Sequence, residues 1–118
     1  MIDLTHPQRL IALAEFTEPP AARLVDAYQA AQQIAVAVVS AAPGRVRGRS
    51  DAWTLLAASA PELAEWAGYF AAFAPPTQAG AVNERAAADM VRAAGQFLTD
   101  AARWLRRRER IIAAEVAG

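Results

Sequence analysis

NERAAADMVRAAGQFLTDAARWL, residues 83–105, decides the fold of this chain. Met90, Ala94, Phe97, Leu98, Ala101, Trp104 and Leu105 recur at steps of three and four and so share one helical face. Arg85, Asp89, Arg92, Gln96, Asp100 and Arg103 fall on the other side, as expected of a helix that buries one stripe. Asn83 stands just before the run and offers a side-chain oxygen to the unpaired N–H groups of the first turn. The spacing continues through Ile111, Ile112 and Val116, which predicts a helix of about 30 residues or more. Residues 106–118 either extend that helix or fray.

Upstream, start and stop signals mark four more helices. Thr5, Pro7 and Gln8 read as a capped helix start, opening a helix to about Phe16 with Leu10, Leu13 and Ile11 facing inward. Thr17-Glu18-Pro19-Pro20 separates it from a second helix. There Leu24, Tyr28, Ala31, Ala35 and Val38 form the inner stripe, and Arg23, Asp26, Gln29 and Gln33 the outer side. Pro43-Gly44 stops that helix and opens a basic loop over 43–50. Ser50 or Asp51 caps a short third helix carrying Trp53, Leu55 and Leu56. Ser59, Pro61 and Glu62 start a fourth, which carries Leu63, Trp66, Tyr69, Phe70 and Phe73 and stops at Pro75-Pro76. No stretch alternates with the period of a strand. The expected architecture is all-α, an antiparallel bundle of about five helices in one domain over 1–118.

A chain of 118 residues suits one domain and buries roughly two thirds of its unfolded surface. Its 55% hydrophobic content is largely alanine, which forms helices well and lets them approach closely. With no cysteine, disulfides, thiol nucleophiles and Cys-ligated metals are excluded. Net charge is zero and every basic residue is arginine, so no global field draws the chain to nucleic acid or acidic membranes. The N-terminus lacks signal-peptide order, and the longest apolar run, Ile34 to Val39, is far short of a bilayer span. A cytoplasmic location is the expectation.

The catalytic inventory is thin. His6 is the only histidine and sits beside a proline at a helix start, so its ordinary reading is an exposed or capping residue. One histidine and scattered carboxylates make no three-ligand metal site. Dinucleotide and phosphate-loop motifs are absent, and a chain without lysine cannot carry the latter. No cofactor is expected. Glu62 and Glu65 stand three apart on a helix, where first-turn acids usually serve the helix dipole. Arg45, Arg47 and Arg49 alternate along the loop, and Arg106, Arg107, Arg108 and Arg110 form a second basic cluster. Both are candidate phosphate contacts, although consecutive helical residues spread around the axis and make no single stripe.

SDAWTLLAASAPELAEWAGYFA, residues 50–71, resembles a family of small actinobacterial HEPN-domain proteins. Shared features are Trp-x-x-Leu, then Pro-Glu-Leu-x-Glu-Trp, then an aromatic pair, all after an arginine-rich loop. The resemblance continues into Asp89 and Gln96-Phe97-Leu98 of the last helix. It implies a helical bundle of a class that often dimerises. HEPN ribonucleases carry an arginine, four to six residues and then a histidine, usually near the last helix. That pattern is absent here, so the resemblance implies a binding or assembly module without ribonuclease activity. The expected partner is a protein, with a homodimer expected and nucleic-acid or nucleotide binding through the loop of Arg45, Arg47 and Arg49 as the alternative. Trp53, Trp66, Tyr69, Phe70 and Phe73 are the candidate partner-binding residues, the last four because one helix does not hide so wide an aromatic stripe.

Overall fold

Two helices begin side by side and set the frame of the molecule: α2 (Pro20–Ala41) and α5 (Glu84–Ala117). They share the largest helix–helix contact of the fold, and near their starts the Arg23 guanidinium donates to Glu84 at 2.6 Å. In this computed structural model, residues 3–42, 51–73 and 82–117 are described. The remaining helices are α1 (Thr5–Ala14), α3 (Ala52–Ser59) and α4 (Ala64–Ala71), with a 3₁₀ turn at Pro61–Leu63. α1 packs on α2 and α5, and α3 packs on α2 and α4. No strand occurs among the described residues, so the all-α bundle of five helices stands.

Alanine content becomes geometry in α2. Ala27, Ala30, Ala31 and Ala35 are fully buried beside Leu24, Ile34 and Val38, and small side chains let neighbouring backbones approach. α5 answers with Ala87, Ala94 and Ala101 between Met90, Phe97 and Leu105, all buried. Burial of apolar area at about 25 cal/mol per Å² is the main stabilising term in such a core.

The helix ends follow the sequence in part. Asp51 caps α3 by accepting from the Thr54 N–H at 2.9 Å, and Asn83 accepts from the Ala86 N–H at 2.8 Å. At α1 the cap is different from the one read in the sequence. Asp3 accepts from both the backbone N–H and the hydroxyl of Thr5, while Thr5 is already the first helical residue. A carboxylate two residues upstream reaches the free N–H more readily than the expected hydroxyl. The run after Ser59 is also divided, since Pro61 opens a 3₁₀ turn before α4 begins, without a side-chain cap.

Two faces differ from the sequence reading. Leu13, expected to face inward, is 66% exposed, while Ile11 is buried as expected, because the buried face of α1 runs through Pro7, Ile11 and Ala14. Arg23, placed on the outer side, is buried. Its Nε donates to the Thr17 carbonyl at 3.1 Å, and its two terminal nitrogens donate to Glu84 and Glu18. Three acceptors take the guanidinium donors, which is the condition for burying a charge. Donation to the Glu84 carboxylate, with the charge of Glu18, raises the arginine pKa further above its ordinary value.

Candidate functional site: an aromatic and acidic face on α4 and α5

A row of rings runs from the core to the surface. Tyr28 and Trp53 meet edge-on with centroids 5.9 Å apart, and Trp53 stacks on Phe70 at 5.0 Å. Phe70 in turn stacks on Trp66 at 5.8 Å and lies 5.3 Å from Phe97. From there Tyr69 sits 6.0 Å from Trp66, and Phe73 5.0 Å from Tyr69. The helical spacing of α4 sorts these side chains. Phe70 is fully buried, Trp66 is half-buried, and Tyr69 and Phe73 are 37% and 36% exposed.

Each indole N–H is committed. Trp53 Nε1 donates to the Tyr28 hydroxyl at 2.9 Å. Trp66 Nε1 donates to Asp100 Oδ2 at 2.8 Å, and Trp104 Nε1 to Glu62 Oε2 at 2.9 Å. The last two bonds tie the 61–71 segment to α5, and a charged acceptor makes each stronger than a neutral pair. They also place two carboxylates beside aromatic faces.

The result is a cleft of about 380 Å³ lined by Glu62, Glu65, Trp66, Tyr69 and Asp100. Burial pushes the Tyr69 phenol above its ordinary pKa, with the Asp89 charge adding to the rise and Arg92 opposing it. Asp89 itself accepts from Arg92 at 3.0 Å. Three carboxylates and two ring faces suit a cation, through charge and through the ring quadrupole. Such a lining holds no thiol, hydroxyl nucleophile of serine type or imidazole base. Among the described residues no group of three or more histidines, cysteines or acids is placed to hold a metal ion.

The sequence-predicted residues are thus divided. Trp53 and Phe70 are buried in the core, where they pack with Tyr28 of α2 and Phe97 of α5. Trp66, Tyr69 and Phe73 reach the face, and Glu62, Glu65 and Asp100 join them there. The two indole–carboxylate bonds were not legible in the sequence, because their partners lie 34 and 42 residues apart. Arg45, Arg47 and Arg49 lie outside the described residues. Arg106, Arg107 and Arg110 are exposed around the last turns of α5, with Arg108 half-buried.

A second groove of about 460 Å³ lies over Ile11, Glu15, Arg23, Val91, Arg92 and Gly95. Its deepest charge, Arg23, is already held by Glu18 and Glu84, so it adds less to a ligand than its position suggests.

Residues 14–102 match the SAV_6107-like HEPN family. The chain belongs to that family. The matched span contains the whole ring row and the acidic cleft, and it ends before the last turns of α5. No curated protein and no solved structure matches the chain. For this HEPN protein the family therefore supplies the fold, and its own residues must supply the function. No helix among the described residues is long and apolar enough to cross a membrane.

Proposed function

We propose that this HEPN domain is a non-catalytic binding module that engages a protein partner through the face formed by Trp66, Tyr69, Phe73 and the acidic cleft beside them. The observation that carries the reading is the cleft itself: two aromatic side chains and three carboxylates around one opening. A partner side chain bearing a positive charge, arginine or lysine, fits that lining through cation–π and carboxylate contacts. Exposed Tyr69 and Phe73 then supply aromatic anchors of the kind on which interface energy concentrates. The absent arginine–histidine motif supports a role without ribonuclease chemistry.

Affinity capture from the native host lysate, with and without nuclease, tests this. A protein retained after nuclease and lost by at least about 1 kcal/mol of binding in Tyr69→Ala and Phe73→Ala supports the reading. Glu65→Gln should weaken the same complex and reduce its salt dependence. Undiminished capture by all three variants rejects the face. Recovery of nucleic acid, with co-captured proteins lost on digestion, transfers the function to the basic residues Arg45, Arg47, Arg49 and Arg106–Arg110.

A further inference from the structure

Three rings of the aromatic row lie nearly parallel. Trp53 and Phe70 are inclined by 20° with centroids 5.0 Å apart, and Phe70 and Trp66 by 23° at 5.8 Å. Their neighbours cross steeply instead, Tyr28 with Trp53 at 61° and Trp66 with Tyr69 at 87°. Trp53 and Phe70 are buried, whereas Trp66 is half-buried and lines the acidic cleft. The parallel run therefore ends at the cleft. Phe70 takes one side of the Trp66 ring, and Tyr69 stands across it as the second wall of a corner.

Carboxylates surround that last ring. Trp66 Nε1 holds Asp100 through Oδ2, at the edge of the indole, and Trp104 Nε1 holds Glu62 through Oε2. Each acid is thus fixed by one oxygen and keeps the other for a further donor. Glu65 is the third acid of the lining. None of the three forms an ion pair among the described residues. Their uncompensated charges attract a cation to the opening and repel a phosphate or carboxylate.

We infer that the cleft is a receptor for a guanidinium group, the side chain of an arginine on the partner, and that it discriminates against lysine. The inference rests on the aromatic face being the partner surface and adds which side chain that face selects. A guanidinium is flat and more weakly hydrated than an ammonium, so it lies on the indole as the next member of the parallel run. Its N–H donors point outward in its own plane, where Asp100 at the indole edge and its neighbouring acids accept them. An ammonium is a compact, strongly hydrated point charge that satisfies the acids but gains less from the ring. A nucleobase would also stack, but its phosphates would meet three carboxylates.

Heteronuclear NMR of the three indole N–H groups on the full chain tests the assignment, with N-acetyl-arginine amide and N-acetyl-lysine amide as probes at constant ionic strength. The Trp66 and Trp104 signals, whose acceptors line the cleft, should move saturably with the arginine probe. Trp53, which donates to Tyr28 in the core, should stay in place as the internal reference. The arginine probe should bind at least about fivefold more tightly than the lysine probe. E65Q should weaken arginine binding a few-fold, and E115Q, the same charge change at the far end of α5, should leave it unaltered. Equal affinity for the two probes, no saturable shift with arginine, or a Trp53 shift as large as that of Trp66 would overturn the inference. If the probe fails while Y69A and F73A still lose the captured protein, the guanidinium assignment falls and the aromatic face stands. If the probe binds while those variants capture protein like wild type, the guanidinium site stands and the protein-partner reading falls.

Discussion

The two parts of α5 share one helix and one hydrophobic rhythm, yet they live in different surroundings. Over Glu84–Leu105 the stripe lies against α1, α2 and the aromatic row, so Met90, Ala94, Phe97, Ala101 and Leu105 are all buried. Over residues 106–117 the same steps bring Ile111, Ile112 and Val116 to the surface, with Val116 83% exposed. Periodicity thus specifies which face of a helix is apolar. What covers that face depends on where the neighbouring helices stop. α4 repeats the contrast on a smaller scale, since adjacent Tyr69 and Phe70 divide between surface and core.

The contrast within α5 is broken or confirmed most sharply by truncating one residue from each part. Phe97→Ala removes a fully buried ring that touches Trp53, Trp66 and Phe70, and should cost about 3–5 kcal/mol in denaturant unfolding. Ile112→Ala should change stability by less than about 0.5 kcal/mol. Comparable losses at the two positions would mean that the end of α5 is packed against the bundle in solution.

A smaller effect sharpens the role of the links between α5 and the 61–71 segment. Trp104→Phe and Trp66→Phe keep most of the ring area but remove the N–H donated to Glu62 and to Asp100. Each should destabilise the fold by about 1–2 kcal/mol. Glu62→Gln, which keeps an acceptor, should cost less than Trp104→Phe. If both tryptophan variants unfold like wild type, the acidic cleft is not positioned by these bonds.

The smallest effect concerns pH at the start of α3. Hydrogen bonds from the Thr54 backbone and hydroxyl hold the Asp51 carboxyl below its ordinary pKa in the folded chain. The folded state therefore binds a proton less readily than the unfolded state. The stabilisation from this cap is complete above the unfolded pKa and is lost as pH falls through the folded one. Melting temperatures of wild type and Asp51→Asn should differ modestly at neutral pH and converge in acid. A gap that widens in acid would contradict the cap.

Much of the fold was legible because helix signals are local. The second helix ends at Ala41, just before Pro43, Asp51 and Asn83 cap where capping chemistry predicts, and the α5 stripe runs as its spacing requires. Arg23 was misplaced because its acceptors, Thr17, Glu18 and Glu84, come from different segments. A charged residue on a helix reads as outward until a set of acceptors is brought around it. Likewise Leu13 is apolar yet lies off the buried face of α1, which runs through Pro7, Ile11 and Ala14.

By itself the sequence determined the all-α class, the helix boundaries to within a few residues, and the exclusion of thiol and phosphate-loop chemistry. Those properties depend on residue type, turn chemistry and periodicity, which act over a few neighbours. Only the tertiary structure decided that Phe70 and Trp53 lie inside while Tyr69 and Phe73 lie outside. It also joined Glu62, Glu65 and Asp100 around Trp66 and Tyr69 in one cleft, and left Ile111, Ile112 and Val116 exposed at the end of α5. Burial and charge pairing depend on which distant segments meet, and the position of a residue along its own helix does not contain that information.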